Sequence, residues 1–389
     1  MTVIGIKFSK LFYFVFGFTL LMFASAGDLS AENKHMIRVN LSSKGFESFD
    51  LMISGRFECR DGNSGKLLWK DADLPLTGVK GGETGIWLGS KSFVTNYLEI
   101  RLRPDETFSM NNKKYRGDIA IYVVSKNKIL VVNHIGLEDY IKGVLVGEMP
   151  KRWPENALRA QAIASRTYAL YQKGIHQDEL YDLTADIYSQ VYGGFGNETW
   201  ISNRIVKETK GVVLVYKNTL IPAFFHSTCG GKTEYGNMVW KKIDVPCLKS
   251  VTCNFCSDAP NYDWIFNLKL EDLQNKIKDI FNDSSEIVIS VDVKNKTSSG
   301  RVKQLNITTS QGQYVMDAVD FRLRVSPRMI KSTRFDLSTH RDQLVFHGQG
   351  WGHGVGFCQW GAKGLAEKKL KTDEILLFYY SGSKLVKLQ

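Results

Sequence analysis

The chain has no block of consecutive basic residues and no recognisable nucleic-acid module, so its formal charge of +11 does not point to a nucleic acid partner. Its glycine-rich stretch lacks the GK[ST] ending of a phosphate loop. No GxSxG surrounds Ser227, which argues against a nucleophile-elbow hydrolase. Internal repeats and low-complexity tracts are missing too. The only long apolar run is Leu11 to Phe23, short of the roughly 20 residues a membrane-spanning helix needs.

That run has a different reading. Lys7 and Lys10 precede it, and Ala24-Ser25-Ala26 follows with the small-x-small form of a signal-peptidase site. Met1 to Ala26 therefore reads as a signal peptide, with export to a periplasm or cell-wall space as the expectation. An uncleaved membrane anchor is the alternative, and the one case that implies membrane contact. Cleavage would remove two lysines from the charge of +11, leaving +9. Such a basic protein suits polyanionic envelope polymers through long-range attraction.

The six cysteines are Cys59, Cys229, Cys247, Cys253, Cys256 and Cys358. Cys253 and Cys256 form a CxxC. With His226 and Cys229 they have the ligand types of a structural zinc site. Export favours disulfides instead. Disulfides are the preferred expectation, with no required cofactor or metal and no catalytic cysteine.

Met36 to Val132 is rich in short β-branched and aromatic runs separated by polar turns. Asp118 to Val132 reads as a hairpin around Ser125-Lys126-Asn127-Lys128. A helix is expected from Trp153-Pro154 to about Gly174, with Ala157, Leu158, Ala160, Ala162, Ile163, Ala164 and Ala169 forming a small-residue packing face. Trp200 to Thr209 reads as a helix. Val212 to Tyr216 and Ile221 to Phe225 read as a buried strand pair. Strands return over Ile287 to Leu305 and Gln313 to Val319. A last helix is capped by Thr372 and ended by Gly382. Segregated strands and helices give an α+β fold. The expected organisation is a signal peptide (1–26), a β-rich N-terminal region (27–117) and a catalytic domain (118–389).

Ahead of the long helix stands Glu148, between the apolar run Val144-Leu145-Val146-Gly147 and the turn Met149-Pro150. Apolar neighbours penalise the ionised carboxylate and raise its pKa, as a general acid working near neutrality requires. Glu138, Asp139, Asp186, Glu198 and Glu234 are further carboxylates, for which structural or surface roles are expected. Glycines recur at Gly348, Gly350, Gly352, Gly354 and Gly356, interleaved with Gln349, Trp351, His353 and Val355.

Three segments carry a resemblance: GEMPKRWPENALRAQAIASRTYAL, FFHSTCGGKTEYGNMVW (Phe224 to Trp240) and GQGWGHGVGFCQWGAKGLA (Gly348 to Ala366). In this order they closely resemble the stage II sporulation protein D family, also called the SpoIID/LytB domain. The resemblance implies a lytic transglycosylase that cuts MurNAc–GlcNAc linkages of peptidoglycan strands already stripped of stem peptides, with Glu148 as its catalytic residue. It implies amidases as working partners. Hydrolysis of a glycoside normally needs two carboxyl groups. Lytic transglycosylation needs one, acting first as acid and then as base on the sugar's own primary hydroxyl. The alternatives are a non-catalytic glycan-binding module or amidase activator, and a peptidoglycan hydrolase.

Matching positions imply a substrate-binding set: Arg166 and Tyr168 on the long helix, Gln190 and Tyr192 of a Gln-x-Tyr-Gly-Gly element, His226, Ser227, Thr228, Gly230 and Gly231, then Trp351, His353 and Gln359. Arg166 reads either as an orienting or lactyl-binding group or as an ion pair to Asp186. Some relatives hold zinc near the Gln-x-Tyr element. This chain keeps His176, but Asp182, Tyr188 and Ser189 fill the other places, which argues against metal there.

Overall fold

In a computed structural model, residues 35–281, 283 and 285–388 are described. The signal-peptide expectation lies outside them. Among the described residues no helix is long and apolar enough to cross a membrane. Strands and helices are segregated into an α+β fold with a β-rich N-terminal region. The contacts divide the chain into two units.

The larger unit comprises, among the described residues, 35–225, Val245–Leu248 and 359–388. Its seven-stranded sheet runs in the order Leu183–Thr184, Met36–Asn40, Lys128–Gly136, Asp118–Ser125, Tyr97–Leu102, Phe57–Asp61 and Leu67–Asp71. The expected hairpin is its centre: Ile121 faces Val131 and Ser125 faces Lys128, leaving Lys126-Asn127 as the turn. A six-stranded sheet is built around Ser48–Ser54. Strict alternation there buries Phe49, Leu51 and Ile53 and exposes the residues between them, the period-2 pattern of a sheet with one dry face.

Two helices follow. The first, α1 (Leu137–Glu148), contains the apolar run before Glu148 and continues it back to Leu137. It carries Glu138 and Asp139 in its first turn, where the helix dipole favours them. Met149 adopts an extended conformation and Pro150 cannot extend the helix, so α1 stops at Glu148. The second, α2 (Glu155–Ile175), begins after Pro154 and passes Gly174 by one residue. Its whole centre is buried, and Gln161, Ser165, Arg166 and Thr167 lie inside together with the expected alanine face. The α1 and α2 helices pack on each other.

Two expectations need correction. Val212–Tyr216 pairs locally with Thr219–Leu220, and only Ile221 of the expected Ile221 to Phe225 strand reaches it, its N–H bonding the Leu214 carbonyl at 3.4 Å, while the C-terminal Lys384–Lys387 takes the other edge. The local hairpin is shorter than expected, and a distant strand covers the other edge. Thr372 is the first residue of its helix and Lys371 the cap. The Thr372 hydroxyl bonds Asn156 instead.

The smaller unit comprises His226–Asp244 and Lys249–Cys358 apart from the undescribed residues. It holds two three-stranded antiparallel sheets. One is ordered Asp263–Lys269, Gln343–Gln349, Phe335–His340, and the other Val288–Lys296, Val302–Thr309, Gln313–Asp317. Trp264, Leu305, Ile307, Phe321, Phe335 and Phe346 belong to one apolar core that both sheets share.

Candidate functional site

Glu148 is the last residue of α1 and keeps part of its surface accessible. Its carboxyl group is nonetheless crowded enough that loss of water dominates its chemistry. Desolvation raises its pKa, against the lowering influence of two donors. The backbone N–H of Val191 donates to Oε1 at 2.7 Å, and the Gln359 amide donates to Oε2 at 3.1 Å. The negative end of the α1 dipole works in the same direction as desolvation. The result is an oriented acid with both oxygens fixed and its proton held more tightly than in water.

Gln359 is fixed in turn, its amide reaching Gln161 on α2 at 3.3 Å, while Gln161 donates to Ser165. Gln161 is a positioning residue that sequence reasoning missed, because a glutamine in an alanine-rich helix gives no distinctive signal. Val191 was missed for another reason: it acts through its backbone. Its neighbours Gln190 and Tyr192 are fully enclosed. Gln190 accepts from Tyr140 Oη at 2.9 Å, and Tyr192 donates to Asn133 at 3.0 Å. They hold the Val191 N–H in place and do not face solvent.

Gly147 and Gly143 let this segment come close. A Cβ on Gly147 would lie 2.6 Å from the Val191 carbonyl oxygen, and one on Gly143 would lie 2.7 Å from the Tyr192 ring. Tyr168 is buried, and burial pushes its hydroxyl up to about 12. It packs against Phe224 and Phe225.

Arg166 is buried and binds Glu138 through two nitrogens, at 2.9 and 2.7 Å, and the Val212 carbonyl. Asp186, the ion-pair partner raised from sequence, instead accepts from Ser43 and Thr184. The paired guanidinium is a structural clamp between α1 and α2. The remaining carboxylates are also engaged: Asp139 with Lys142, Glu198 with Arg116, and Glu234 with Thr297 and Ser299. Near His176, Asp182 is paired with Arg38 at 2.6 Å and Ser189 bonds Thr184.

In the smaller unit the two other motifs meet. Thr228 and Trp351 exchange backbone hydrogen bonds at 3.1 and 2.8 Å. The rings of His226 and His353 stand 5.4 Å apart, and Trp240 lies 5.0 Å from His353. Alternate glycines of the loop, Gly350, Gly352, Gly354 and Gly356, all have positive φ, a path closed to most side chains.

His226 is buried, and burial holds its pKa well below the usual histidine value, so it is neutral. Its Nδ1 lies 3.1 Å from the Val355 carbonyl oxygen and must carry the proton. Nε2 is then an acceptor, with no hydrogen-bond partner among the described residues. His353 accepts the Val355 N–H at Nδ1. Ser227 is partly exposed and approaches the buried Thr228 hydroxyl at 3.4 Å. Gly230 packs against Gln349, and Gly231 lies near the Tyr262 hydroxyl. Trp351 is 37% exposed, with Lys331 over its ring. Of the sequence-derived set, Glu148 and Gln359 thus form one constellation, with the Val191 N–H added to it, and His226, Thr228, Trp351 and His353 form another.

A family model described as stage II sporulation protein, SpoIID, matches residues 125–216. A second model, a domain of unknown function, matches residues 238–356. An uncharacterized protein of Brachyspira hyodysenteriae is 34% identical over 79% of this chain and 80% of its own length. The amidase enhancer of Bacillus subtilis is 30% identical over 63% of this chain, a match that spans 40% of that longer protein. Stage II sporulation protein D of Bacillus subtilis is 28% identical over 65% of this chain and 75% of its own length. The first model's range takes in α1, Glu148, α2 and the Gln-x-Tyr element, and together with the relatives matched over most of their length it places the chain in the stage II sporulation protein D family.

Proposed function

We propose that this chain is an exported lytic transglycosylase acting on peptidoglycan glycan strands, cleaving MurNAc–GlcNAc linkages to leave anhydromuramyl ends. The observation that carries the reading is the state of Glu148: one carboxyl group, desolvated, with both oxygens oriented by Val191 and Gln359. As an acid it protonates the bridging oxygen as the glycosidic bond breaks. As the resulting carboxylate it takes the proton of the muramyl primary hydroxyl, which closes the anhydro ring. The donors from Val191 and Gln359 stabilise that carboxylate until the second proton transfer.

A hydrolase would need a second carboxyl group to activate water. Glu138, Asp139, Asp186, Glu198 and Glu234 each have partners elsewhere, which supports the one-carboxylate scheme. The partly exposed Trp351 is a group of the kind that stacks on sugar faces.

The test is product analysis with purified protein on denuded glycan strands. Anhydromuramyl ends are expected from the native chain. Glu148→Gln should lower their release by about 10²–10⁴-fold, the span of general acid–base contributions, while glycan binding persists. Undiminished release by that variant ends the proposal, and reducing ends in place of anhydro ends would make the protein a hydrolase. The relative named amidase enhancer supports a second reading, in which the chain binds glycan and stimulates an amidase. That reading expects binding, no soluble products from the chain alone, and faster product release when an N-acetylmuramoyl amidase is added.

A further inference from the structure

The cysteines form a constellation that the proposed chemistry does not use. The Sγ atoms of Cys229, Cys253, Cys256 and Cys358 all lie within 4.8 Å of one another, and all four residues are buried. Cys229 Sγ and Cys256 Sγ are 3.5 Å apart. Cys253 and Cys256 supply the short bite of a CxxC, and the other two come from the ends of the histidine-serine-threonine and glycine-rich motifs.

We propose that these four thiols bind one zinc ion as a closed structural centre with four cysteine ligands. Zinc–sulfur bonds of about 2.3 Å at tetrahedral angles place the sulfurs roughly 3.8 Å apart. Four mutually close sulfurs match that arrangement. A disulfide has an S–S length of about 2.05 Å and joins sulfurs only in pairs, which gives no reason for all four to converge. Binding converts four thiols and Zn2+ into a centre of net charge −2 and releases four protons.

An independent observation calls for that charge. Arg301 is buried, and its Nη2 donates to the Cys229 carbonyl at 2.7 Å. Its Nε and Nη1 have no hydrogen-bond partner among the described residues. A buried guanidinium needs a compensating anion. Two neutral disulfides would supply no charge beside it, whereas a tetrathiolate centre that includes Cys229, whose carbonyl the guanidinium already touches, does. Gly354 makes room for the cation, since a Cβ there would lie 2.4 Å from the guanidinium carbon. The Cys229 N–H also points to Cys358 Sγ at 3.3 Å, the kind of donor that steadies a thiolate ligand.

The ligand set differs from the one the sequence suggested. His226 directs Nδ1 to Val355 and stands outside the cluster, and Cys358, distant in sequence, takes the fourth place. By tying Cys229 to Cys358, zinc would fasten the segment of His226 to the loop of His353.

The experiment uses the full chain purified without chelators. Elemental analysis should find one zinc per chain. Cobalt substitution should give the thiolate-to-metal charge-transfer bands of a tetrahedral sulfur site. His226→Ala should retain the metal, and Cys358→Ser should lose most of it. If Cys358→Ser fails to fold, the cobalt spectrum of the native chain and the His226→Ala metal content still decide. A metal-free native chain whose four cysteines appear as disulfide-linked peptides under non-reducing conditions would overturn the proposal. So would iron in place of zinc, or loss of the metal in His226→Ala.

Discussion

Gln359 Nε2 lies 3.1 Å from Glu148 Oε2, although 211 positions separate the two residues in the chain. The bond favours the carboxylate, while the surroundings favour the protonated acid. Removing Gln359 should therefore raise the Glu148 pKa further and also leave the carboxyl group less well oriented. Gln359→Leu is expected to move the alkaline limb of kcat/KM for glycan cleavage to higher pH. The acid plateau should fall about tenfold, as expected for a lost hydrogen bond to a charged group. A lower plateau with an unmoved limb would mean that Gln359 only supports packing.

The same raised pKa has a consequence for stability. The folded state holds the Glu148 proton more tightly than the unfolded chain does. Below the unfolded carboxyl pKa, both states are protonated and no penalty exists. As pH rises toward the folded pKa, the unfolded state gains by ionising first, and native stability falls. Glu148→Gln removes the ionisation and should melt higher than the native protein at neutral pH. The sign of the gap, variant above native, is the expected outcome at neutral pH. The gap should close as the melts are repeated at lower pH. A constant gap from about pH 4 to pH 8, a range that starts near the ordinary carboxyl pKa, would show that the carboxyl group is not desolvated.

Gly147 tests how closely α1 must approach the Gln-x-Tyr segment. Alanine is the better helix former by about 1 kcal/mol, so propensity alone favours Gly147→Ala. Geometry opposes it, because the new Cβ would stand 2.6 Å from the Val191 carbonyl oxygen, a backbone atom that cannot swing away. Overpacking of this kind costs about 1–3 kcal/mol, enough to outweigh the propensity gain, and the shift displaces the N–H that holds Glu148. Activity should drop at least tenfold alongside the loss of stability. Gly174 on α2 is the control: nothing lies within 4 Å of its would-be Cβ, so Gly174→Ala should be neutral or slightly stabilising.

These positions also show what a sequence can display. Glu148 stood out because an acidic residue closed an apolar run ahead of an alanine-rich helix, and the Asp118 hairpin because polar residues split two apolar strands. The helical nature of α1 was hidden by its valines and glycines, which have poor helix propensity and are held in place by packing. The Val191 contact was hidden because backbone donors leave no mark on residue identity. The C-terminal partner of Val212–Tyr216 and the Cys358 neighbour of Cys229 depend on long-range closure, to which local periodicity is blind. Most of the fold was legible element by element, while the pairings between distant elements were not.

Arg166 and Glu138 show the same limit, since either of two acids could have matched the arginine, and they offer the sharpest separation of structure from chemistry. The guanidinium has no exposed surface, and it holds α1 to α2 through Glu138 Oε1 and Oε2. Breaking a buried pair by removing one partner costs about 3–5 kcal/mol, because the remaining charge loses its compensation. Part of Glu138 reaches solvent, which places Arg166→Met near the lower end, about 3 kcal/mol by denaturant unfolding. Arg166→Lys should recover little, because an ammonium cannot bind both carboxylate oxygens and the Val212 carbonyl in one plane. The double variant Arg166→Met/Glu138→Leu should recover much of the stability, since no buried charge remains. If Arg166 instead bound the glycan, Arg166→Met would leave unfolding unchanged and raise KM, and the double variant would restore nothing.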